Sequence, residues 1–152
     1  MPEFVPVEKL KQMIGLENGL SDWVLIDQDR INRFADVTGQ QSWIHVDIEK
    51  AKEGPYGGPI GHGDLTLSLI PMFSASAKYG PADVKMAVNY GLNKVRYLNP
   101  VPVDARVRSR MVISGIEEKQ PGRVLMTTTH TIEIEGQENP ACIAETLTLL
   151  FF

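Results

Sequence analysis

The sequence predicts an α+β fold: an antiparallel sheet wrapped around one long, buried central helix. Three observations carry this. Helical periodicity is confined to the first half of the chain. One run, DLTLSLIPMFSASAKYG from Asp64 to Gly80, is apolar on nearly every side, as a helix inside a core must be. After Pro81 the pattern turns to the period of two that marks half-buried strands. Helices and strands segregated in this way pack as α+β.

Taken in order, Val7–Ile14 reads as a short helix with Val7, Leu10 and Ile14 on one face, broken by Gly15 and Gly19. Asp22–Ile26 is a candidate strand. Asp27 is placed to cap a helix over Gln28–Val37, with Ile31, Phe34, Ala35 and Thr38 turned inward and Gly39 as its stop. Residues 40–62 hold too many Gly and Pro for a long element. Pro71 should bend the central helix. Lys85–Tyr97 is a long or broken strand. In Ala105–Ile113 the apolar Ala105, Val107, Met111 and Ile113 alternate with Arg106, Arg108 and Arg110. Val124–Ile134 alternates again, after a Gln120-Pro121-Gly122 turn. Ala141–Phe152 is the last strand, with Ile143, Leu147, Leu149 and Phe151 on one face. Such a sheet leaves edges to cover, and a dimer would cover them.

The chain has 152 residues, 43% hydrophobic and 22% charged, which suits one domain over residues 1–152. A net charge of -4 argues against a nucleic-acid binder that relies on attraction to phosphate. The lone Cys142 lies in an apolar strand and reads as an inert buried thiol. The opening MPEFVPVEKLKQ lacks the basic start and apolar run of a signal peptide, and no stretch reaches the roughly 20 apolar residues that span a bilayer. The expectation is a cytoplasmic protein without a membrane partner.

Candidate chemistry centres on three histidines. His130 falls on the same strand face as Val124, Met126 and Ile132 and reads as a packed core or edge histidine. His45 and His62 flank the glycine-rich GPYGGPIGHG, a loop of the kind that carries function on a rigid scaffold. Gly61-His62-Gly63 opens the central helix, whose first backbone N–H groups lack intrahelical partners and can face an anion or a developing oxyanion. Alone, these glycines would mean no more than a tight turn into a helix.

The order of motifs says more. Phe34-Ala35-Asp36-Val37-Thr38-Gly39-Gln40-Gln41-Ser42-Trp43-Ile44-His45, with Ala51 further on, resembles the hydratase signature of MaoC-like proteins. Gly57-Gly58-Pro59-Ile60-Gly61-His62-Gly63-Asp64-Leu65 is similar to that family's helix start. Asn89–Tyr97 and Pro100-Val101-Pro102-Val103 resemble its next strand and the "RF-x-x-PV" ending. The resemblance spans roughly residues 22 to 115. It implies a hot-dog fold, usually dimeric, and reversible syn hydration of a trans-2-enoyl thioester to a (3R)-hydroxyacyl thioester, a lyase reaction of fatty acid metabolism. It implies no cofactor: acyl-CoA or an acyl-carrier thioester is the substrate. The family histidine falls on His45 and the oxyanion donor on the backbone N–H of Gly63. Gly58, Ile60, His62, Asn93 and Arg96 fall on the substrate side.

The family's aspartate falls on Gln40. A carboxamide can hold a water, but it is no base at neutral pH. Two acids nearby could compensate. Asp64 stands where relatives carry an apolar residue, so it reads either as a relocated base or as an acid favoured by the first helical turn. Asp36, one turn before Gln40, ranks below it. Three functions follow from the resemblance: an enoyl-thioester hydratase; a catalytically silent acyl-thioester binder or subunit; and a thioesterase using Asp64. The cluster Lys94, Arg96, Arg106, Arg108 and Arg110 could meet CoA phosphates, or could be the outer face of a strand.

Overall fold

The computed structural model describes residues 1–152. Four long strands, β5 (Met86–Tyr97), β6 (Arg106–Gln120), β7 (Arg123–Ile134) and β8 (Cys142–Phe151), form most of one antiparallel sheet. The short β2 (Glu17–Leu20) and β3 (Val24–Leu25) both pair with β6, and the order across the sheet is β2-β6-β7-β8-β5. A separate parallel pair joins β1 (Glu3–Val5) to β4 (Tyr79–Pro81).

The inner face of the sheet holds the core. On β6 and β7 it is the face expected: Val107, Met111, Ile113, Ile132 and Ile134 are buried, while Arg106, Arg108 and Arg110 point away. On β8 the buried face is the one opposite Ile143, Leu147 and Leu149. Cys142, Ala144 and Leu150 turn inward and Ile143 is exposed, because the central helix lies close over this strand and leaves room for small side chains there. Burial pushes the Cys142 thiol up to about 11, so it stays a protonated, packed thiol.

The central helix comes as two pieces in series, α5 (Gly63–Ser68) and α6 (Ile70–Ser74). Pro71 lacks the N–H that would continue the ladder, and the break falls at Leu69, whose N–H turns to the Thr66 carbonyl at 3.3 Å. Leu65, Leu69, Ile70 and Phe73 still bury against the sheet together with Ile31 from α2 (Gln28–Thr38). Asp27 caps α2 as its position suggested, accepting from the Arg30 N–H at 2.8 Å, and Gly39 ends it with φ at 75°. The loop that read as irregular contains two short helices, α3 (Trp43–Val46) and α4 (Ile48–Lys52). The first helix, α1 (Val7–Lys11), is shorter than its pattern suggested.

Strand β5 stands at the sheet's edge, hydrogen-bonded only to β8, and presents Met86, Val88, Tyr90 and Leu92 exposed. No helix is long and apolar enough to cross a membrane.

Candidate active site

His45 sits in α3, buried to 5% exposure, where the chain returns from the end of α2. Its Nδ1 lies 2.7 Å from the Ile60 carbonyl oxygen. A carbonyl only accepts, so Nδ1 carries the hydrogen and donates it. Nε2 is therefore the ring's free acceptor. His45 lines a cavity of about 330 Å³ together with Ile60, Gly63, Thr66, Tyr97 and Val101. A fixed tautomer with one basic nitrogen toward a cavity is what proton transfer requires of a histidine.

His62, the residue before α5, stacks on His45 with ring centroids 3.8 Å apart. Phe34 tilts against its other side. The Nε2–H of His62 donates to the Gln40 carbonyl at 3.0 Å, and its Nδ1 is buried without a partner. Burial lowers the pKa of His62, opposed by the bond to Gln40, so the ring stays neutral beside His45. His62 is thus the wall behind His45, and it ties the end of α2 to the start of α5.

Gly63 is the first residue of α5, so its N–H has no intrahelical partner. The ring of Tyr97 covers it: a Cβ at Gly63 would meet Tyr97 Cδ2 at 2.8 Å and Cγ at 2.9 Å. Only glycine allows this contact. The Tyr97 O–H donates to Asp64 Oδ1 at 2.5 Å.

A protein-family comparison matches residues 9–135 to the MaoC-like domain. The chain belongs to this family. It is 46% identical over 147 residues to 3-hydroxyacyl-thioester dehydratase Z of Mycobacterium tuberculosis, covering 97% of each chain. It is 40% identical over 140 residues to nodulation protein N of Rhizobium leguminosarum, covering 91% of this chain and 87% of that one. Among solved structures, the (R)-hydratase of A. caviae superposes with a TM-score of 0.70 at 21% identity, over 88% of this chain and 96% of that one. The fold is the hot-dog fold the resemblance implied. The protein is a lyase-type enzyme of the MaoC-like dehydratase family.

Within this MaoC-like site, the expected residues separate. His45, Ile60 and Gly63 meet at the cavity, and His62 backs it. Asp64 reaches the rim through Tyr97. The Gln40 side chain is exposed and does not line the cavity; Gln40 contributes its carbonyl to His62. Asp36 is taken up by the side-chain amide of Gln41 at 2.8 Å. Gly58, Asn93 and Arg96 lie outside the lining, and the Arg96 guanidinium turns back to the Val95 carbonyl. Arg106, Arg108 and Arg110 form ion pairs on the outer face of β6 with Glu135, Glu133 and Glu17, the strand-face alternative for that cluster. His130 is buried on the inner face of β7, its Nδ1 bonded to Ser109 Oγ at 3.0 Å, away from the MaoC-like cavity. Sequence reasoning missed Tyr97 and Thr66. Thr66 follows Gly63 by three residues, the spacing that puts both on one side of a helix. Tyr97 stood at the aromatic position of the "RF-x-x-PV" ending, which marks the end of a strand and gives that residue no role at the site.

Proposed function

We propose that this MaoC-like chain is a hydratase and dehydratase of acyl thioesters, adding water reversibly to trans-2-enoyl thioesters to give (3R)-hydroxyacyl thioesters. One observation carries the reading: His45 presents a single basic nitrogen to the cavity that Gly63 also lines, with its tautomer fixed by the Ile60 carbonyl. The name of the mycobacterial relative, a 3-hydroxyacyl-thioester dehydratase, supports the same chemistry.

Hydration needs three things at one place. A base must take a proton from water, a donor must stabilise the charge on the thioester oxygen, and an acid must return a proton to C2. His45 Nε2 serves as the base and, once protonated, as the acid. The Gly63 N–H serves the thioester oxygen. No cofactor enters the step. We read the substrate as acyl-CoA or an acyl-carrier thioester, with the thioester in the cavity beside Gly63 and Val101. The protein acts in the cytoplasm as a homodimer: the unpaired edge of β5, with Met86, Val88, Tyr90 and Leu92 exposed, is the surface a second copy would cover. Sedimentation analysis of the purified protein checks this, and a monomer at micromolar concentration would refute it.

A specific observation favours a second reading. With Gln40 exposed outside the cavity, the chain lacks the acid that the resemblance placed beside His45, which suits an acyl-thioester binder or non-catalytic subunit. A spectrophotometric crotonyl-CoA hydration assay decides between them. The hydratase reading expects turnover that falls about 100-fold or more in His45→Ala. Absence of turnover, with binding of crotonyl-CoA retained in calorimetry, would assign the binder instead. Release of free thiol without hydration would point to a thioesterase using Asp64.

A further inference from the structure

We propose that Tyr97, held in place by Asp64, grips the reacting water at the mouth of the cavity. This rests on the hydratase reading of the site. Three observations converge on Tyr97. It lines the same cavity as His45 and Gly63. Its ring is pressed onto Gly63, so its position relative to the thioester-polarising N–H is fixed by packing. Its only hydroxyl hydrogen is committed to Asp64 at 2.5 Å, which leaves the oxygen's lone pairs to accept from a water. A hydroxyl bonded to a carboxylate is a stronger acceptor than a free one, since hydrogen bonds in series polarise one another. Burial and the Asp64 bond both raise the Tyr97 pKa, so the phenol keeps its proton throughout.

The rivals around the cavity are fewer than its polar lining suggests. The Asn99 amide already donates to the Pro140 carbonyl at 2.8 Å. Gln40 faces solvent. Two competitors remain on the lining: Thr66, which is buried and which the test includes, and Tyr56, whose phenol is exposed and has no carboxylate holding it as Asp64 holds Tyr97. Asp64 is exposed and absent from the lining, so it acts through Tyr97 as a positioning residue and not as the base itself.

The step balances with water alone. One O–H bond of the water breaks as its oxygen bonds to C3, and that proton goes to His45 Nε2. The C2–C3 π pair moves toward C1, and the thioester oxygen takes the charge beside the Gly63 N–H. The Nε2–H bond then breaks and C2–H forms. The water's second hydrogen stays bonded to Tyr97 Oη, which orients the attacking lone pair, and neither Tyr97 nor Asp64 changes protonation.

The test measures kcat and KM for crotonyl-CoA hydration in the full chain and in Tyr97→Phe, Asp64→Asn, Thr66→Val and Tyr97→Phe/Asp64→Asn. Tyr97→Phe keeps the ring on Gly63, and an unchanged melting temperature verifies that it folds. The expected loss in Tyr97→Phe is about 10- to 100-fold in kcat with KM within about twofold, the effect of one hydrogen bond to the reacting water. Asp64→Asn should lose less. The double variant should match Tyr97→Phe, because Asp64 works only through the phenol. A Tyr97→Phe variant with parental kcat, a change in KM alone, or additive losses in the double variant overturns the proposal while leaving the hydratase reading in place if His45→Ala is inactive. A large kcat loss in Thr66→Val with none in Tyr97→Phe moves the role to Thr66. A parent chain with no hydration activity overturns both.

Discussion

His130 gives the fold a pH dependence that can be calculated before it is measured. The side chain is 1% exposed, with Nδ1 bonded to Ser109, and burial brings its pKa from 6.5 down to about 4. The native state holds this ring neutral, while the unfolded chain protonates it near 6.5. Above pH 7 both states are neutral and the difference vanishes. As pH falls through the unfolded value, the unfolded state takes up a proton that the folded state refuses, so stability drops until pH reaches the folded value. At about 1.4 kcal/mol per pH unit, the window from 6.5 down to about 4 amounts to about 3 kcal/mol, of which about 2 kcal/mol is gone by pH 5. The perturbation is His130→Gln, which keeps polar atoms near Ser109 and removes the titration. Urea unfolding of both proteins from pH 7.5 to pH 4 would give the two stability curves. The stability difference between them should narrow by about 2 kcal/mol between pH 7.5 and 5, with the parent losing more. Other acid-sensitive groups, His62 among them, cancel in that difference. A constant gap between parallel curves would refute the reasoning and mean that the ring is reached by water or reorganises on protonation.

Three further outcomes are expected. Gly63→Ala drives a methyl to within 2.8 Å of the Tyr97 ring near its attachment to the chain, where it cannot swing aside cheaply; a loss of about 1–3 kcal/mol in unfolding free energy and displacement of Tyr97 should follow, read by thermal melting and the hydration assay. Phe73→Ala empties a position 1% exposed between helix and sheet and should cost about 3–5 kcal/mol in chemical denaturation. Asp27→Ala removes the oxygen that accepts from Arg30 and should destabilise by about 1 kcal/mol, with the hydration rate per folded molecule unchanged.

The parts of the structure legible in sequence are those set by local periodicity. Arg106, Arg108 and Arg110 alternating with Val107 and Met111 could only be a half-buried strand, and Asp27 with Gly39 bracketed α2 to within a residue. Position in three dimensions was less visible. The alternation in β8 separated two faces without saying which is inner; the buried one carries Cys142 and Ala144, small side chains that a close-packed helix selects. Gly19 read as a breaker, yet it lies in β2 because the Ser76 carbonyl would come within 2.7 Å of any Cβ there. At the site, His45 and Gly63 were legible through ordered motifs. Tyr97 was not, since its importance comes from a contact with Gly63 and Asp64 across some thirty residues of chain, a relation with no period and no spacing rule.

Ile60 does two unrelated things from one position. Its side chain shapes the cavity, while its peptide oxygen decides which nitrogen of His45 is basic. The second task belongs to the main chain and is indifferent to which residue stands there. Exchanges at position 60 can therefore retune which acyl groups are admitted while the proton chemistry survives intact, so selectivity can drift here across generations of sequence without passing through an inactive ancestor.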